Sequence, residues 1–243
     1  MRQLFISDLH LWQQAPEIEA LFHQFMREQA QASDELYVLG DLFEAWIGDD
    51  ALDALAERVI TTFQQYSSTV GKLYFMHGNR DFLLGDTFIA ETGGTLLSDP
   101  HELSICNQPS LLMHGDSLCT QDVDYISFRD TVRNPEWQQQ FLSFSIDERE
   151  QIARDIRDKS QAKGQTMSEE ISDVTPSEVI RVMDEHAVTL LIHGHTHRQA
   201  RHSLSLEHAQ AERIVLGDWG NTGSVLTVDD SKIELSNFSL SNR

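Results

Sequence analysis

Five short segments of the sequence place Asp, His or Asn directly after an apolar run. In chain order they are Asp8-Leu9-His10, Gly40-Asp41, Gly78-Asn79-Arg80-Asp81, His114-Gly115-Asp116 and His193-Gly194-His195-Thr196-His197. Carboxylate, amide and imidazole groups without a thiolate are ligands that suit Mn, Fe or Zn. A glycine lies within or beside four of the five segments and allows the backbone to turn sharply next to a ligand. The five segments together predict a metal site.

The apolar runs that precede these segments predict buried β-strands. They are Leu4–Ser7, Leu36–Leu39, Leu73–Met76, Leu111–Met113, Thr189–Ile192 and Ile214–Leu216. Helical patterns at Ile18–Gln29 and Leu52–Tyr66 separate the first three, and this alternation is typical of a layered α/β fold. Since ligand sites of open α/β folds lie at the carboxyl ends of strands, we expect the five segments to converge there.

Two further regions differ from this alternation. Gly223–Val228 and Ile233–Phe238 alternate in polarity around Asp229–Asp230 and predict an antiparallel hairpin. Residues 122–184 carry only helical patterns, which we interpret as a helical insertion over the α/β core, and Thr175 is a candidate cap for a helix at its end.

Charge and composition exclude several classes of protein. Eighteen Lys and Arg against 39 Asp and Glu give a net charge of −21, which excludes a general nucleic-acid binder and disfavours passive docking on an anionic membrane. No apolar run reaches the ~18–20 residues of a membrane span, and Asp8 comes too early for a signal peptide. Cys106 and Cys119 form no CxxC motif, so we expect a soluble cytoplasmic chain without disulfides.

The motifs DLH, GDLFE, GNRDF, MHGDSLC and HGHTHR resemble those of the calcineurin-like metallophosphoesterases. The resemblance covers most of the chain. It implies an α/β fold in which a layered β-sandwich is flanked by helices. Residues 1–121 and 185–243 would form the metallophosphoesterase core, and 122–184 a helical cap within the same domain.

The resemblance also implies a site with two divalent ions, manganese in the branch of the family that this chain is most like. One ion would be held by Asp8, His10, Asp41 and His197, and the other by Asp41, Asn79, His114 and His195. Two divalent ions and two carboxylates leave such a site near +2, which favours phosphate binding in spite of the acidic chain.

More narrowly, GDLFEAWIGDD, GNRDFLLG and FRDTVRNP are similar to a branch that hydrolyses the diphosphate of an acylated UDP-sugar in lipid A biosynthesis. The reaction implied is release of UMP by two-metal activation of water. Other family members usually carry His where this chain has Arg80. Such a His would protonate an alcohol leaving group, whereas a phosphate, with a second pKa of about 6, can leave unprotonated. Arg80 therefore favours a diphosphate substrate.

The resemblance assigns substrate contacts to core and insertion residues: Asn79, Arg80, Asp122, Arg157, Ser160 and His195. The chain departs from the branch at Gly164 and Met167, where Asn and Lys are expected, and the neighbouring Lys163 could replace the lost charge. Aromatic residues of the insertion either bind acyl chains or pack it on the core; they are Trp137, Phe141 and Phe144.

Two alternatives to this function remain open at this stage: another metallophosphoesterase, acting on nucleotides or phosphoproteins, and a non-catalytic binding protein on the same scaffold. A lipid substrate implies a peripheral protein on the cytoplasmic face of the inner membrane, with no nucleic acid and no obligate protein partner. Residues 149–163 hold five cations against three acids, a local charge of +2 that could face the bilayer; the cations are Arg149, Arg154, Arg157, Lys159 and Lys163.

Overall fold

The computed structural model describes residues 1–164, 173–207, 209–230 and 232–241, without the side chains of 159–164. The strands are β1 (Arg2–Ile6), β2 (Glu35–Leu39), β3 (Lys72–Met76), β4 (Thr95–Leu96), β5 (His101–Ile105), β6 (Gln108–Met113), β7 (Leu190–His193), β8 (Ala200–Ser205), β9 (Gln210–Val215), β10 (Thr222–Asp229) and β11 (Lys232–Ser239). The helices are α1 (Pro16–Glu28), α2 (Ala54–Thr69), α3 (Asp86–Thr92), α4 (Val123–Val132), α5 (Pro135–Leu142), α6 (Ile146–Gly164) and α7 (Pro176–Glu185).

The strands form two sheets. The first has the order β11-β10-β1-β2-β3-β4, and the second has the order β5-β6-β7-β9-β8. Strands β1, β2 and β3 run parallel in the first sheet, as do β6, β7 and β9 in the second. In each sheet the carboxyl ends of these three strands therefore lie side by side. The predicted hairpin is confirmed, since β10 and β11 pair antiparallel from Thr222↔Ser239 to Asp229↔Lys232.

The two sheets pack face to face, and helices cover their outer faces. Phe5, Leu39 and Met76 of the first sheet share an apolar core with residues of the second sheet, such as Leu112 and Ile192. On the outer face of the first sheet, α1 and α2 pack around an edge-to-face pair of Phe22 and Phe63. Burial of each of these side chains contributes about 1.5–3 kcal/mol to the stability of the fold. The predicted layered α/β sandwich flanked by helices is confirmed.

The sequence patterns missed the strands at the edge of the second sheet. In β5 and β8 exposed and half-buried side chains alternate, and the exposed ones are polar, so neither segment forms a continuous apolar run. Thr175 does precede α7, but its side chain makes no cap bond. Its hydroxyl oxygen instead accepts a hydrogen bond from Thr120 at 2.8 Å.

Residues 122–184 form four helices, α4 to α7, in the part that the structure describes. Helix α7 packs Val179, Val182 and Met183 onto the outer face of the second sheet. In α5, Phe141 is buried and Trp137 stacks on it at 5.1 Å, whereas Phe144, just beyond the helix, is 37% exposed. Of the two roles considered for these aromatic residues, packing on the core therefore applies to Phe141 and Trp137, whereas Phe144 faces solvent.

Candidate metal centre

The backbone is strained at the ends of the strands that carry the candidate ligands. Nine non-glycine residues in the described part of the chain have a positive φ, and five of them are candidate ligands: Asp8, His10, Asp41, His195 and His197. Such a residue costs on the order of 1–3 kcal/mol and persists only where the surrounding contacts impose it. More than half of these residues therefore lie at the candidate site, as expected of a functional site.

Asp8 and Asp41 form the floor of the centre, and both are buried. The backbone N–H of His195 donates to the carboxylate of Asp8, at 3.1 and 3.0 Å from its two oxygens. The backbone N–H of Arg80 donates to Oδ1 of Asp41 at 2.8 Å. Backbone donors from neighbouring strand ends thus hold both carboxylates in place.

Around Asp8, one group of donor atoms comes from the segments that follow β1 and β7. Nε2 of His197 lies 3.4 Å from Oδ1 of Asp8 and 3.2 Å from Nε2 of His10. One ligand atom from each of these three residues lies within 4.8 Å of the others, a spacing that could hold one metal ion.

On the other side of Asp41, a second group of donor atoms converges. Oδ1 of Asn79 lies 3.0 Å from Nε2 of His114 and 2.7 Å from Nδ1 of His195. The Nδ1–H of His114 donates to the carbonyl oxygen of Leu39 at 2.9 Å, so Nε2 is the nitrogen that is directed into the centre. Ligand atoms of Asp8, Asp41 and His114 also lie within 4.8 Å of one another.

The carboxylate of Asp41 lies between these two groups. Its Oδ2 is 3.9 Å from Nε2 of His10, and its Oδ1 is 3.7 Å from Nε2 of His114. The two oxygens therefore face different sets of ligands, which is the arrangement that a bridging carboxylate requires.

Burial and neighbouring charges shift the pKa values of two histidines of the centre in opposite directions. Although burial lowers it, the pKa of His114 is raised to about 9 by the charges of Asp41, Asp116 and Asp8. Burial and the neighbouring charge of His114 lower the pKa of His195 to about 3. The centre without a cation therefore holds a proton that a divalent ion must displace.

The donor set fits a divalent cation. The ligand atoms are carboxylate and amide oxygens and imidazole nitrogens, and neither cysteine contributes, since Cys106 and Cys119 are free and lie outside the cluster. Mixed O and N donors suit Mn, Fe or Zn, and two buried carboxylates with few compensating cations favour a positive ion.

The predicted substrate-contacting residues outside the ligand cluster have varied surroundings. Arg80 follows Asn79 and its backbone is bound to Asp41. Asp122 accepts from the backbone N–H of Tyr125 at 3.0 Å as the N-cap of α4. Arg157 pairs with Glu44 at 3.2 Å. The side chains of Ser160 and Lys163, together with Met167, lie outside the described part of the chain, and Gly164 is the last described residue of α6.

Two buried acids that support the centre were not assigned a role from the sequence. Asp81 accepts backbone N–H groups of Gly78 at 2.8 Å and Leu42 at 2.7 Å, and so joins the loops after β2 and β3. Asp116 accepts from the Tyr125 hydroxyl at 2.7 Å and from Nε of Arg129 at 2.8 Å, and so joins the loop after β6 to α4. Each lies two residues after a candidate ligand in its motif, Asn79 or His114, and that position is the signal that the sequence offers.

Three of the five cations in the expected basic patch of the insertion have acidic partners, and the side chains of the other two, Lys159 and Lys163, lie outside the described residues. Arg149 pairs with Asp50, Arg154 with Glu150 and Arg157 with Glu44. Arg149 is buried by its pair and Arg157 is mostly buried, whereas Arg154 remains 58% exposed. In the described part of the chain, no helix has the length and apolar character needed to cross a membrane.

Comparison with known proteins is consistent with this geometry. The UDP-2,3-diacylglucosamine hydrolase of Cellvibrio japonicus is 46% identical over 240 residues, 99% of this chain and 100% of that protein. The hydrolase of the same name from Chromohalobacter salexigens is 47% identical over 245 residues, covering 100% of both chains. That of Marinobacter nauticus is 49% identical over 219 residues, 90% of each chain.

The family profile described as calcineurin-like phosphoesterase matches residues 1–199, which carry all the candidate ligands. The family and the cluster of Asp and His side chains together support the binding of divalent metal. This chain belongs to the calcineurin-like phosphoesterase family.

Proposed function

We propose that this protein hydrolyses the diphosphate of UDP-2,3-diacylglucosamine, giving UMP and 2,3-diacylglucosamine 1-phosphate (lipid X), a step of lipid A biosynthesis. Near-complete coverage of relatives that carry the name UDP-2,3-diacylglucosamine hydrolase, at 46–47% identity, is the observation that carries this proposal. In the reaction, a water oxygen bonds to one phosphorus and the bond from that phosphorus to the bridging oxygen breaks. The bridging oxygen leaves on the other phosphate, and the two protons of the water pass to solvent or to the phosphate products.

The centre is proposed to hold two divalent ions, most favourably Mn²⁺. Asp8, His10, Asp41 and His197 would hold one, and Asp41, Asn79, His114 and His195 the other, because the oxygens of Asp41 face both groups. When bound, such ions lower the pKa of water toward ~7 and neutralise charge on phosphate oxygens.

Arg80 is proposed to bind the diphosphate. Its backbone donates to Asp41, so its side chain starts at the edge of the centre, and its charge helps to lower the pKa of Glu44, which burial would otherwise raise. A guanidinium offers a planar pair of donors to phosphate oxygens, and no general acid is needed for a phosphate leaving group.

The insertion is proposed to cap this site and to bind the acylated sugar. Asp122, Arg157 and Ser160 would contact the sugar phosphate. Exposed apolar side chains at the ends of α4, α5 and α6 would meet acyl chains and the inner leaflet; they are Val123, Leu142, Phe144 and Ile146. Since three of the insertion's arginines are already paired, contact with the cytoplasmic face of the inner membrane rests on these apolar groups.

The test is release of UMP from UDP-2,3-diacylglucosamine with Mn²⁺, compared with UDP-glucose and a simple alkyl phosphate. We expect turnover of the acylated substrate alone and its loss in Asp41→Asn. Arg80→His should lower diphosphate hydrolysis by about 10²-fold, since it removes a group aimed at developing charge. Absence of UMP from a protein that retains bound Mn²⁺ would refute the proposed substrate, and faster diphosphate cleavage by Arg80→His would refute the role of Arg80.

The membrane surface is tested separately with vesicles of anionic phospholipid. The wild-type chain should sediment with them, and Leu142→Ser with Phe144→Ser should release it. Ala20→Ser, on the helix α1 far along the chain from the insertion, controls for an added hydroxyl. Equal sedimentation of the double variant would contradict the proposed contact.

A further inference from the structure

Glu44 lies between the metal centre and the insertion. Its position is set by backbone pairing of two segments, because His10 N donates to the carbonyl oxygen of Asp41 at 3.0 Å and Glu44 N to that of Leu11 at 3.1 Å. The side chain is 13% exposed. The largely buried carboxylate of Glu44 makes two charged contacts, one with His10 and one with Arg157.

The first partner is the outer nitrogen of His10. Oε2 of Glu44 lies 3.1 Å from Nδ1 of His10, while Nε2 of the same ring lies 3.2 Å from Nε2 of His197 inside the centre. The contact is an ion pair, since Nδ1 of His10 has no hydrogen-bond partner in the described part of the chain. A carboxylate beside the outer nitrogen of a ligand histidine favours a proton on that nitrogen and raises the basicity of the inner nitrogen.

The second partner belongs to helix α6. Nε of Arg157 lies 3.2 Å from Oε1 of Glu44, and its guanidinium carbon lies 4.0 Å above the ring of Trp12. Trp12 follows His10 by two residues, so both contacts of Arg157 are made with the segments that carry ligands. Each oxygen of Glu44 therefore has a partner of its own, one on the core and one on the insertion.

We propose that Glu44 is a positioning residue that orients His10 for metal binding and fastens helix α6 to the metal centre through Arg157. Its first role orders a ligand before the ion arrives, and its second ties the insertion to the same loop. The inference rests on the metal site of the proposed function and does not depend on the identity of the substrate.

Titration with Mn²⁺, followed by calorimetry on the full chain, tests the first role. Glu44→Ala should weaken Mn²⁺ binding by about 10–100-fold, the usual effect of losing a carboxylate behind a ligand histidine. Glu44→Gln keeps an acceptor oxygen and should recover most of the affinity. Binding as tight as wild type in Glu44→Ala, or binding as weak in Glu44→Gln as in Glu44→Ala, would overturn the orienting role.

Glu19 offers a matched control, since its carboxylate also contacts a histidine and an arginine. It lies 3.4 Å from His23 and 2.6 Å from Arg58, and its side chain is 15% exposed. Glu19→Ala should leave Mn²⁺ binding unchanged. If the wild-type chain binds no Mn²⁺, the metal site itself is refuted, a result distinct from failure of the Glu44 variants alone.

Hydrogen exchange tests the second role without metal or substrate. Backbone amides of α6 near Arg157 should exchange faster in Glu44→Ala and in Arg157→Ala than in wild type, and the double variant should exchange no faster than either single one. In Glu19→Ala these amides should exchange as in wild type. Unchanged exchange of α6 in Glu44→Ala would overturn the link to the insertion.

Discussion

Arg149 of helix α6 and Asp50 of the loop after β2 form two parallel hydrogen bonds, of 2.7 and 2.6 Å. Arg149 is 2% exposed and also donates to the carbonyl oxygen of Ile47 at 2.6 Å. Gly48 makes room for it, since a Cβ there would collide with the guanidinium. This pair fastens the start of α6 to the loop that continues from Asp41 and Glu44.

Asp50→Ala should therefore loosen the insertion. The buried guanidinium would lose its charged partner, and because Asp50 itself is 63% exposed we expect a loss of about 2 kcal/mol in the free energy of unfolding, below that of a fully buried pair. Denaturant unfolding measures this loss. Arg154→Ala breaks an exposed pair with Glu150 on the same helix and should change stability by less than about 1 kcal/mol. Equal effects of the two variants would contradict the role of Arg149.

Asp81 should matter for both stability and metal binding. Its buried carboxylate accepts backbone N–H groups from two loops that carry candidate ligands, and Asp81→Asn would turn an amide N–H₂ toward one of these donors. We expect the free energy of unfolding to fall by about 2–4 kcal/mol and Mn²⁺ affinity to fall with it. Thermal unfolding and Mn²⁺ titration measure the two effects. Asp86→Asn, at an exposed residue of α3, is the control, and the idea fails if both variants behave alike.

Gly78 should tolerate no side chain. A Cβ at this position would overlap Oδ1 and the backbone nitrogen of Asp41, whereas a Cβ at Gly220 would meet nothing within 4 Å. Gly78→Ala should therefore displace Asp41 and abolish high-affinity Mn²⁺ binding, and Gly220→Ala should not affect it. Calorimetric titration of both variants checks this, and normal binding by Gly78→Ala would show that the two loops can separate without cost.

Much of the fold, and the convergence of the candidate ligands, could be predicted because their signals are local. Buried parallel strands are continuous apolar runs, and the residues at their ends are brought together by the parallel order of the strands itself. The alternating, partly polar strands β5 and β8 gave no such signal, because their exposed faces interrupt the apolar pattern.

The supporting contacts could not be predicted, since they join segments far apart in the sequence. Arg149 and Asp50 are 99 residues apart, and the pattern around Arg149 shows only a charged helix. For the same reason the cations of α6 suggested a surface that faces the bilayer, although Arg149 is buried. The boundaries of the insertion at 122–184 and the roles of individual site residues stay predictions.

A pH-dependent cost to stability is expected at Asp99. Neither of its buried carboxylate oxygens has a hydrogen-bond partner in the described part of the chain. Burial, and then the charge of Asp116, raise the pKa of Asp99 from 3.8 to about 6. Between these values the folded chain holds a proton that the unfolded chain has lost, so stability falls as the pH rises through this window.

Asp99→Asn removes this titration. The gain in the free energy of unfolding of the variant over wild type should be about 2 kcal/mol larger at pH 7.5 than at pH 4.5, since a pKa raised by about two units costs about 3 kcal/mol above pH 6 and only about 1 kcal/mol at pH 4.5. Urea unfolding at the two pH values measures the difference. Asp229→Asn, at an exposed residue of β10, controls for the loss of one negative charge from an acidic chain. A gain that is the same at both pH values would show that Asp99 is not held as a buried, unpartnered acid.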